Sequence, residues 1–249
     1  MFSNLILAAV ILLNPWSWKI LLINPLLFLL VIFSTFTFAY VIKNKKFFWV
    51  LIVLFSTLAF FQWKTTTSES LTLLDNDEQR IKEERIKFYA PGEHYVRVIF
   101  KRLDLINFLE GDLNTVSKRL QRNFFETIDP NVYFFGGHPR ERVWANDFEK
   151  LPFVFIIPFL IGLYNMILDK KWFFFLSFSL GVMLLSAIGH KNLLGPFILF
   201  PVIVILISGG LVKLLNFKNH LPRIVIKPIF MGAIILILLS IIQTFVYAY

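Results

Sequence analysis

Six uninterrupted apolar blocks constrain this chain more than any other feature. They are Ile20–Ile42, Phe47–Trp63, Leu151–Leu168, Trp172–Gly189, Leu193–Val212 and Pro228–Tyr249. Each is long enough to cross roughly 30 Å of hydrocarbon as a helix. A seventh, Phe2–Leu13, is short and ends at Asn14-Pro15. It reads either as a short first span or as one arm of a hairpin broken at Asn14-Pro15-Trp16-Ser17-Trp18. Inside a bilayer the backbone must satisfy its own hydrogen bonds, and a chain of separate apolar blocks does so as helices. The predicted class is therefore all-α, a polytopic helical membrane protein with six or seven transmembrane helices. Counting Phe2–Leu13 as the first block, one extracytoplasmic helical segment lies between the third, Phe47–Trp63, and the fourth, Leu151–Leu168. Three regions follow: 1–63 with two or three spans, 64–150, and 151–249 with four spans.

Composition agrees. Of 249 residues, 57% are hydrophobic and 16% charged, against about 25% charged in a soluble domain. This excludes a soluble enzyme and a nucleic-acid-binding domain. The absence of cysteine excludes disulfides, thiolate metal sites and thiol catalysis. The net charge of +9 is not spread evenly, for residues 64–150 hold 14 basic and 15 acidic side chains. The basic excess lies in short loops, at Lys43, Lys45 and Lys46, at Lys170 and Lys171, and at Lys213, Lys218, Arg223 and Lys227. If every block crosses once, these three groups share one side, which the positive-inside rule makes cytoplasmic. The protein is then integral to the cytoplasmic (plasma) membrane, with 64–150 outside. Trp16, Trp18, Trp49, Trp63 and Trp172 stand at block edges, where amphipathic rings meet headgroups.

The segment 64–150 reads as helical. Asp77–Tyr89 carries Glu78–Lys82 and Glu83–Lys87 pairs at i,i+4, which mark a solvated helix face. Pro91-Gly92 ends it. Tyr95, Val98, Ile99, Leu105, Ile106 and Leu109 then share one face. A further helix starts at Gly111-Asp112, with Leu113, Val116, Leu120 and Phe124 as its stripe. These helices fit the outer leaflet or a small self-packed domain equally well.

The blocks contain no Asp, Glu, Lys, Arg or His, which argues against a proton-coupled pump or an ion channel. Asn24, Asn165 and Gln243 read as interhelical hydrogen-bonders. Pro25, Pro158, Pro196 and Pro201 read as kinks or loosened turns, and Gly209-Gly210 as a site of close helix approach. Chemistry, where present, belongs to the outer face. Asp75, Asp77 and Glu78 gather three carboxylates within four positions. They suit Mg²⁺ or Mn²⁺, a general base, or simply the capped start of a helix. No other cofactor is indicated. Gly136-Gly137-His138-Pro139-Arg140-Glu141-Arg142 follows an aromatic run. Arg140 and Arg142 have the fork geometry for phosphate, and His138 can carry a proton. The same string also suits an interfacial loop with its arginines on headgroups. His190 and Lys191, between the fifth and sixth blocks, would add to a cationic patch for a lipid phosphate or form a solvated turn.

Residues 123–212 resemble a known family. Asn123-Phe124-Phe125, Asp129-Pro130-Asn131, Phe134-Phe135-Gly136-Gly137 and Leu151-Pro152 through Gly162-Leu163 are similar in order to the later half of GT-C class membrane glycosyltransferases, especially the family 39, protein-mannosyltransferase-like group. The resemblance implies handling of a polyprenyl-phosphate-linked sugar at the outer membrane face, with membrane lipid as partner and no nucleic acid. On their own chemistry, Asp75, Asp77, Glu78 and His138 are the candidate catalytic groups, with Arg140, Arg142, His190 and Lys191 for the lipid phosphate. The chain departs from that family after its first block, where Asn14–Lys19 contains no acid. A non-catalytic membrane scaffold, or an accessory component of envelope assembly, is the alternative; a transporter is disfavoured by the uncharged blocks. The residues leave open whether the chain is an enzyme, and its oligomeric state.

The lysine pattern yields a direct topology test. A single cysteine at Ser117 should react with an impermeant maleimide in intact cells, and one at Asn44 should not. The opposite labelling would reverse the orientation.

Overall fold

The computed structural model describes residues 2–66, 80, 84, 114–135, 148–169, 172–188, 193–217, 231–232, 234–239 and 241–242. Among them the ordered elements are helical, with no strand. In chain order they are α1 (Phe2–Leu12), α2 (Pro15–Ile23), α3 (Pro25–Lys43), α4 (Phe48–Thr65), α5 (Asn114–Ile128), α6 (Pro130–Phe134), α7 (Ile156–Leu168), α8 (Trp172–Ile188) and α9 (Phe200–Phe217). Short 3-10 turns at Lys45–Phe47, Phe153–Phe155 and Phe197–Leu199 lead into α4, α7 and α9.

Three of these helices begin with one device, an Asn or Asp followed by proline. The Asn14 side chain accepts from Trp16 N at 2.8 Å, Asn24 from Leu27 N at 3.0 Å, and Asp129 from Asn131 N at 2.9 Å. In each case proline fills the first helical position, where its missing N–H has no intrahelical partner to lose and its φ is preset. Two expectations change as a result. The apolar run Ile20–Ile42 is not one helix, because Asn24 ends α2 and starts α3. Asn24 is a cap rather than an interhelical hydrogen-bonder, and Asn165 also bonds within its own helix, to Ile161 O at 2.7 Å. The prolines lie at helix starts rather than at mid-helix kinks: Pro25 opens α3, Pro158 is in the first turn of α7, Pro196 precedes a 3-10 turn and Pro201 is second in α9.

Three helical stretches are long and apolar enough to cross a membrane: Pro25–Ile42, Phe48–Thr65 and Phe197–Asn216. A fourth candidate is the pair Ser3–Leu12 and Pro15–Ile23, bent by 64° at Leu13-Asn14. The broken arrangement at Asn14-Pro15 is thus present, but Asn14–Lys19 is the start of α2 rather than a loop. Lys19 therefore lies within the bent pair, which the block boundaries had left uncharged. The last span candidate also starts later than the block Leu193–Val212, since Leu193–Pro196 forms a turn.

α9 is the central helix. Val202, Ile203, Val204, Ile205, Leu206 and Ile207 are all buried, so every side of this segment meets protein. It packs on α1, α3 and α7. α3 and α4 form a hairpin through the Lys45–Phe47 turn, with Phe38 meeting Phe55 edge-on at 5.7 Å and stacking on Phe174 of α8 at 6.0 Å. The outward faces are strongly apolar, with Leu26 76%, Trp49 75% and Met183 66% exposed. Such a surface suits hydrocarbon and, with the candidate spans, suggests a membrane protein.

The tightest helix contact joins α7 to α9. A Cβ built on Gly162 would strike the backbone of Leu206, and one on Gly210 the backbone of Pro158. Small residues let the two backbones touch, as in membrane helix pairs. Of the two glycines singled out in sequence, only Gly210 has this role; Gly209 has nothing within 4 Å of its Cβ direction. The pairing 162 with 206 and 158 with 210 makes α7 and α9 antiparallel. Strict alternation of crossings would set the fourth and sixth blocks parallel, so these helices do not follow it.

α5 also differs from its expected stripe. Its buried positions are Arg119 and Thr127, whereas Phe124, Phe125 and Ile128 are exposed. The reason is the partner. α5 packs on α8, where Asn123 Nδ2 donates to Ser186 O at 3.1 Å. Carbonyls in a helix's last turn lack an intrahelical donor, so a polar face of α5 turns inward to supply one.

Gly162→Ala and Gly210→Ala should each destabilise the protein in detergent, by about 1–3 kcal/mol for overpacking against rigid backbone. Gly209→Ala should be neutral or slightly stabilising. Thermal unfolding of the three variants checks the pairing.

Candidate functional site

Trp16 is the centre of a polar knot that joins segments far apart in sequence. Its ring is fully buried, 5.2 Å from Phe200 and 6.0 Å from Tyr133. Its indole Nε1 donates to Leu194 O at 2.7 Å. Its backbone N donates to Lys150 O at 3.0 Å as well as to the Asn14 cap. A buried indole N–H needs a partner, and the turn at Leu193–Pro196 has an open carbonyl to provide.

That turn owes its shape to Gly195, whose φ of +66° is the left-handed region glycine adopts without strain. The Gly195 carbonyl accepts from Gln62 Nε2 at 3.1 Å, and Gln62 Oε1 accepts from Ile198 N at 3.4 Å. Gln62 is fully buried on α4. It is the interhelical hydrogen-bonder that the sequence reading had assigned to other amides. Thr66 closes α4 by donating from Oγ1 to Gln62 O at 2.6 Å.

Lys150 is the buried cation of the knot, only 2% exposed. Its Nζ donates to Val132 O at 2.9 Å, and the next residue, Leu151, donates from N to Tyr133 O at 2.8 Å. The short helix α6 leaves these carbonyls without intrahelical donors, so the chain at 150–151 supplies them. Tyr133 is held in turn by its own hydroxyl, which donates to Thr127 O at 2.7 Å. Burial, and then the nearby charge of Asp129, push its phenol above the ordinary value of 10.0, so it acts as a neutral donor. The Phe148 ring carries two ammonium groups, Lys19 Nζ at 4.6 Å and Lys150 Nζ at 5.5 Å from its centroid, both within cation–π range.

The residues expected from sequence to carry chemistry, Asp75, Asp77, Glu78, His138, Arg140, Arg142, His190 and Lys191, lie outside the described residues. What the structure does bring together is where their segments depart. The acidic cluster follows the Gln62–Thr66 end of α4. The segment with His138, Arg140 and Arg142 runs between Phe135 and Phe148, and is joined at its base by the Lys150–Val132 and Leu151–Tyr133 bonds. His190 and Lys191 directly precede the turn that binds Trp16 and Gln62. Three candidate segments thus have their roots in one knot. Among the described residues no group of three His, Cys, Asp or Glu side chains is placed to hold a metal.

Sequence reasoning missed Lys150, Lys19 and Gln62. Lys150 was legible as a cation abutting an apolar block, and Lys19 as one that follows an Asn-Pro helix start. Gln62 had no signal beyond being an amide inside an apolar run.

Compared with family models, curated proteins and solved structures, the chain matches none.

Gly195→Ala should destabilise the protein by roughly 1–2 kcal/mol through the left-handed backbone alone, and further because its Cβ would meet Lys150 Cε. The second part should vanish when Lys150 is shortened. A double-mutant cycle with Lys150→Ala, read by thermal unfolding, should therefore show Gly195→Ala costing less in the Lys150→Ala background.

Proposed function

We propose that this protein is an integral protein of the cytoplasmic membrane that binds a phosphate-bearing lipid at the Trp16 end of its helix bundle. The lipid class that fits the resemblance to GT-C glycosyltransferases is a polyprenyl-phosphate-linked sugar. The observation that carries the reading is the convergence of three segment roots on one knot. On this reading the cations His138, Arg140, Arg142, His190 and Lys191 and the acids Asp75, Asp77 and Glu78 share that base. In this reading the Trp16 end is extracytoplasmic, with residues 64–150 outside, and the Lys43–Lys46 turn is cytoplasmic. Since α7 and α9 run antiparallel, α7, α8 and α9 do not all cross once, and six crossings become our upper count for the whole chain, with α1 and α2 as one bent element.

Charge argues for the division of labour. A lipid phosphate needs cations where its negative charge lies, and transfer of a sugar would need a carboxylate to take the acceptor's proton. Arg140, Arg142 and Lys191 take the first role, Asp75, Asp77 and Glu78 the second with Mg²⁺ or Mn²⁺ as a possible ion, and His138 the proton. One observation favours the second reading, a non-catalytic lipid-binding component of envelope assembly. The stretch Asn14–Lys19 is helix without a carboxylate, where the resembling enzymes carry an acidic pair.

Replacing Arg140 and Arg142 together by Ala should weaken binding to anionic-lipid vesicles by about tenfold or more while leaving thermal unfolding unchanged, and added salt should weaken the wild type. Asp77→Asn should retain binding and abolish any sugar transfer. Undiminished lipid binding by the double arginine variant would defeat the reading.

A further inference from the structure

The exposed face of α5 is divided along the helix axis. Its first half turns Ser117, Lys118, Gln121 and Arg122 outward, and its second half Phe124, Phe125 and Ile128. Phe125 is 57% exposed, and its ring meets that of Phe124 edge-on at 5.5 Å. α5 is held on α8 by its other face. Three observations say what covers the aromatic half. The first is position. Asn123 bonds to the carbonyl of Ser186, two residues before α8 ends at Ile188, and α8 itself turns Leu176, Leu180 and Met183 outward. A helix attached to the end of an outwardly apolar membrane helix stands where hydrocarbon gives way to headgroups. The second is charge. Residues 64–150 together hold 14 basic and 15 acidic side chains, yet α5 holds Lys118, Arg119 and Arg122 against Glu126 alone, a net of +2. Arg122 and Glu126 approach to 3.9 Å, and such exposed pairs contribute little. The third is order. At a protein interface a polar rim encloses an apolar centre. In α5 the cations and the rings instead occupy successive turns of one face, which suits a helix entering a leaflet at a slant, cations at the headgroups and rings below them.

We propose that α5 is a leaflet anchor, with Phe124, Phe125 and Ile128 immersed at the boundary of headgroups and acyl chains and Lys118 and Arg122 on anionic headgroups. The partner is the bilayer surface at the Ser186 end of α8. The proposal rests on the membrane reading of the helices and not on the lipid-phosphate site. It accounts for the inverted face of α5, since a helix between α8 and lipid keeps its polar groups for the protein and gives its rings to the lipid. It also has a consequence for the knot. The hydroxyl of Tyr133 donates to Thr127 O in the last turn of α5, so anchoring that turn holds the knot at headgroup depth.

The test uses the full chain, which has no native cysteine, in vesicles of phosphatidylcholine with phosphatidylglycerol. Nitroxide labels on Ser117→Cys, Phe125→Cys and Ile128→Cys are read by power saturation with oxygen, which concentrates in hydrocarbon, and with a nickel chelate, which stays in water. Oxygen should relax the labels at 125 and 128 more than the chelate does, and the order should reverse at 117. Replacing Lys118 and Arg122 together by Gln should move the label at 125 toward water in these vesicles and not in phosphatidylcholine alone. Labels at 125 and 128 open to the chelate would put this face in water and overturn the anchor. Labels shielded from both reagents would mean a protein cover, from this chain or a second copy, and overturn it equally. Immersion insensitive to Lys118 and Arg122 would uphold the anchor and overturn the role given to its cations. Replacing Arg140 and Arg142 should leave all three labels unchanged, so failure of the lipid-phosphate site and failure of the anchor are read separately.

Discussion

The hydrogen bond from the Trp16 indole to the Leu194 carbonyl ties together residues 178 apart in the chain, and the rest of the described structure is arranged around that tie. The helices are apolar on most of their faces, and dispersion between apolar faces has little directional preference. Register must come from a few groups that can be satisfied in only one way. Trp16, Gln62 and Lys150 are such groups. Each is buried, and each reaches a backbone carbonyl in a segment distant from its own. A shift of any one helix would leave a buried indole, amide or ammonium without its acceptor. That penalty is steep in a low-dielectric interior.

Backbone contact does the corresponding work away from the knot. The contact of Gly162 with Leu206 and of Gly210 with Pro158 brings α7 against α9 with no side chain between them. It fixes their antiparallel direction and their level along the axis together. With α1 and α3 on its other sides, α9 becomes, among the described helices, the one whose middle is shielded all round. The peripheral helices keep one face for the core and turn another, rich in Leu, Ile and Phe, to the surroundings. Polar ties at one end and glycine contacts in the middle therefore divide the specification of the bundle.

The knot also accounts for why a site would stand at this end. Its ties fix the described ends from which three segments depart, and these segments carry the groups proposed to bind and transform a lipid phosphate. Loops that carry chemistry need a rigid base to be positioned on. Here the base itself contains cations. Lys150 and Lys19 would be costly placements if their only task were to fill space.

The sequence by itself determined that this chain is helical and built for a membrane, because block length and missing charge leave few other ways to satisfy the backbone. It also determined where helices start, at Asn14-Pro15, Asn24-Pro25 and Asp129-Pro130, since capping is a matter of neighbouring residues. That signal was available even though the uninterrupted apolar run across Asn24 hid it. Only the tertiary structure decided which amide would bridge helices, which glycine would touch backbone, and which face of α5 would turn inward. Gln62 and Asn24 are both amides in apolar runs, and Gly209 and Gly210 are adjacent. What separates them is the acceptor or backbone each meets across a helix interface. That neighbour comes from another part of the chain, so local pattern carries no record of it. Lys150 is the sharpest instance, for next to Leu151 it reads as a loop charge, and only the carbonyl of Val132 makes it a buried one.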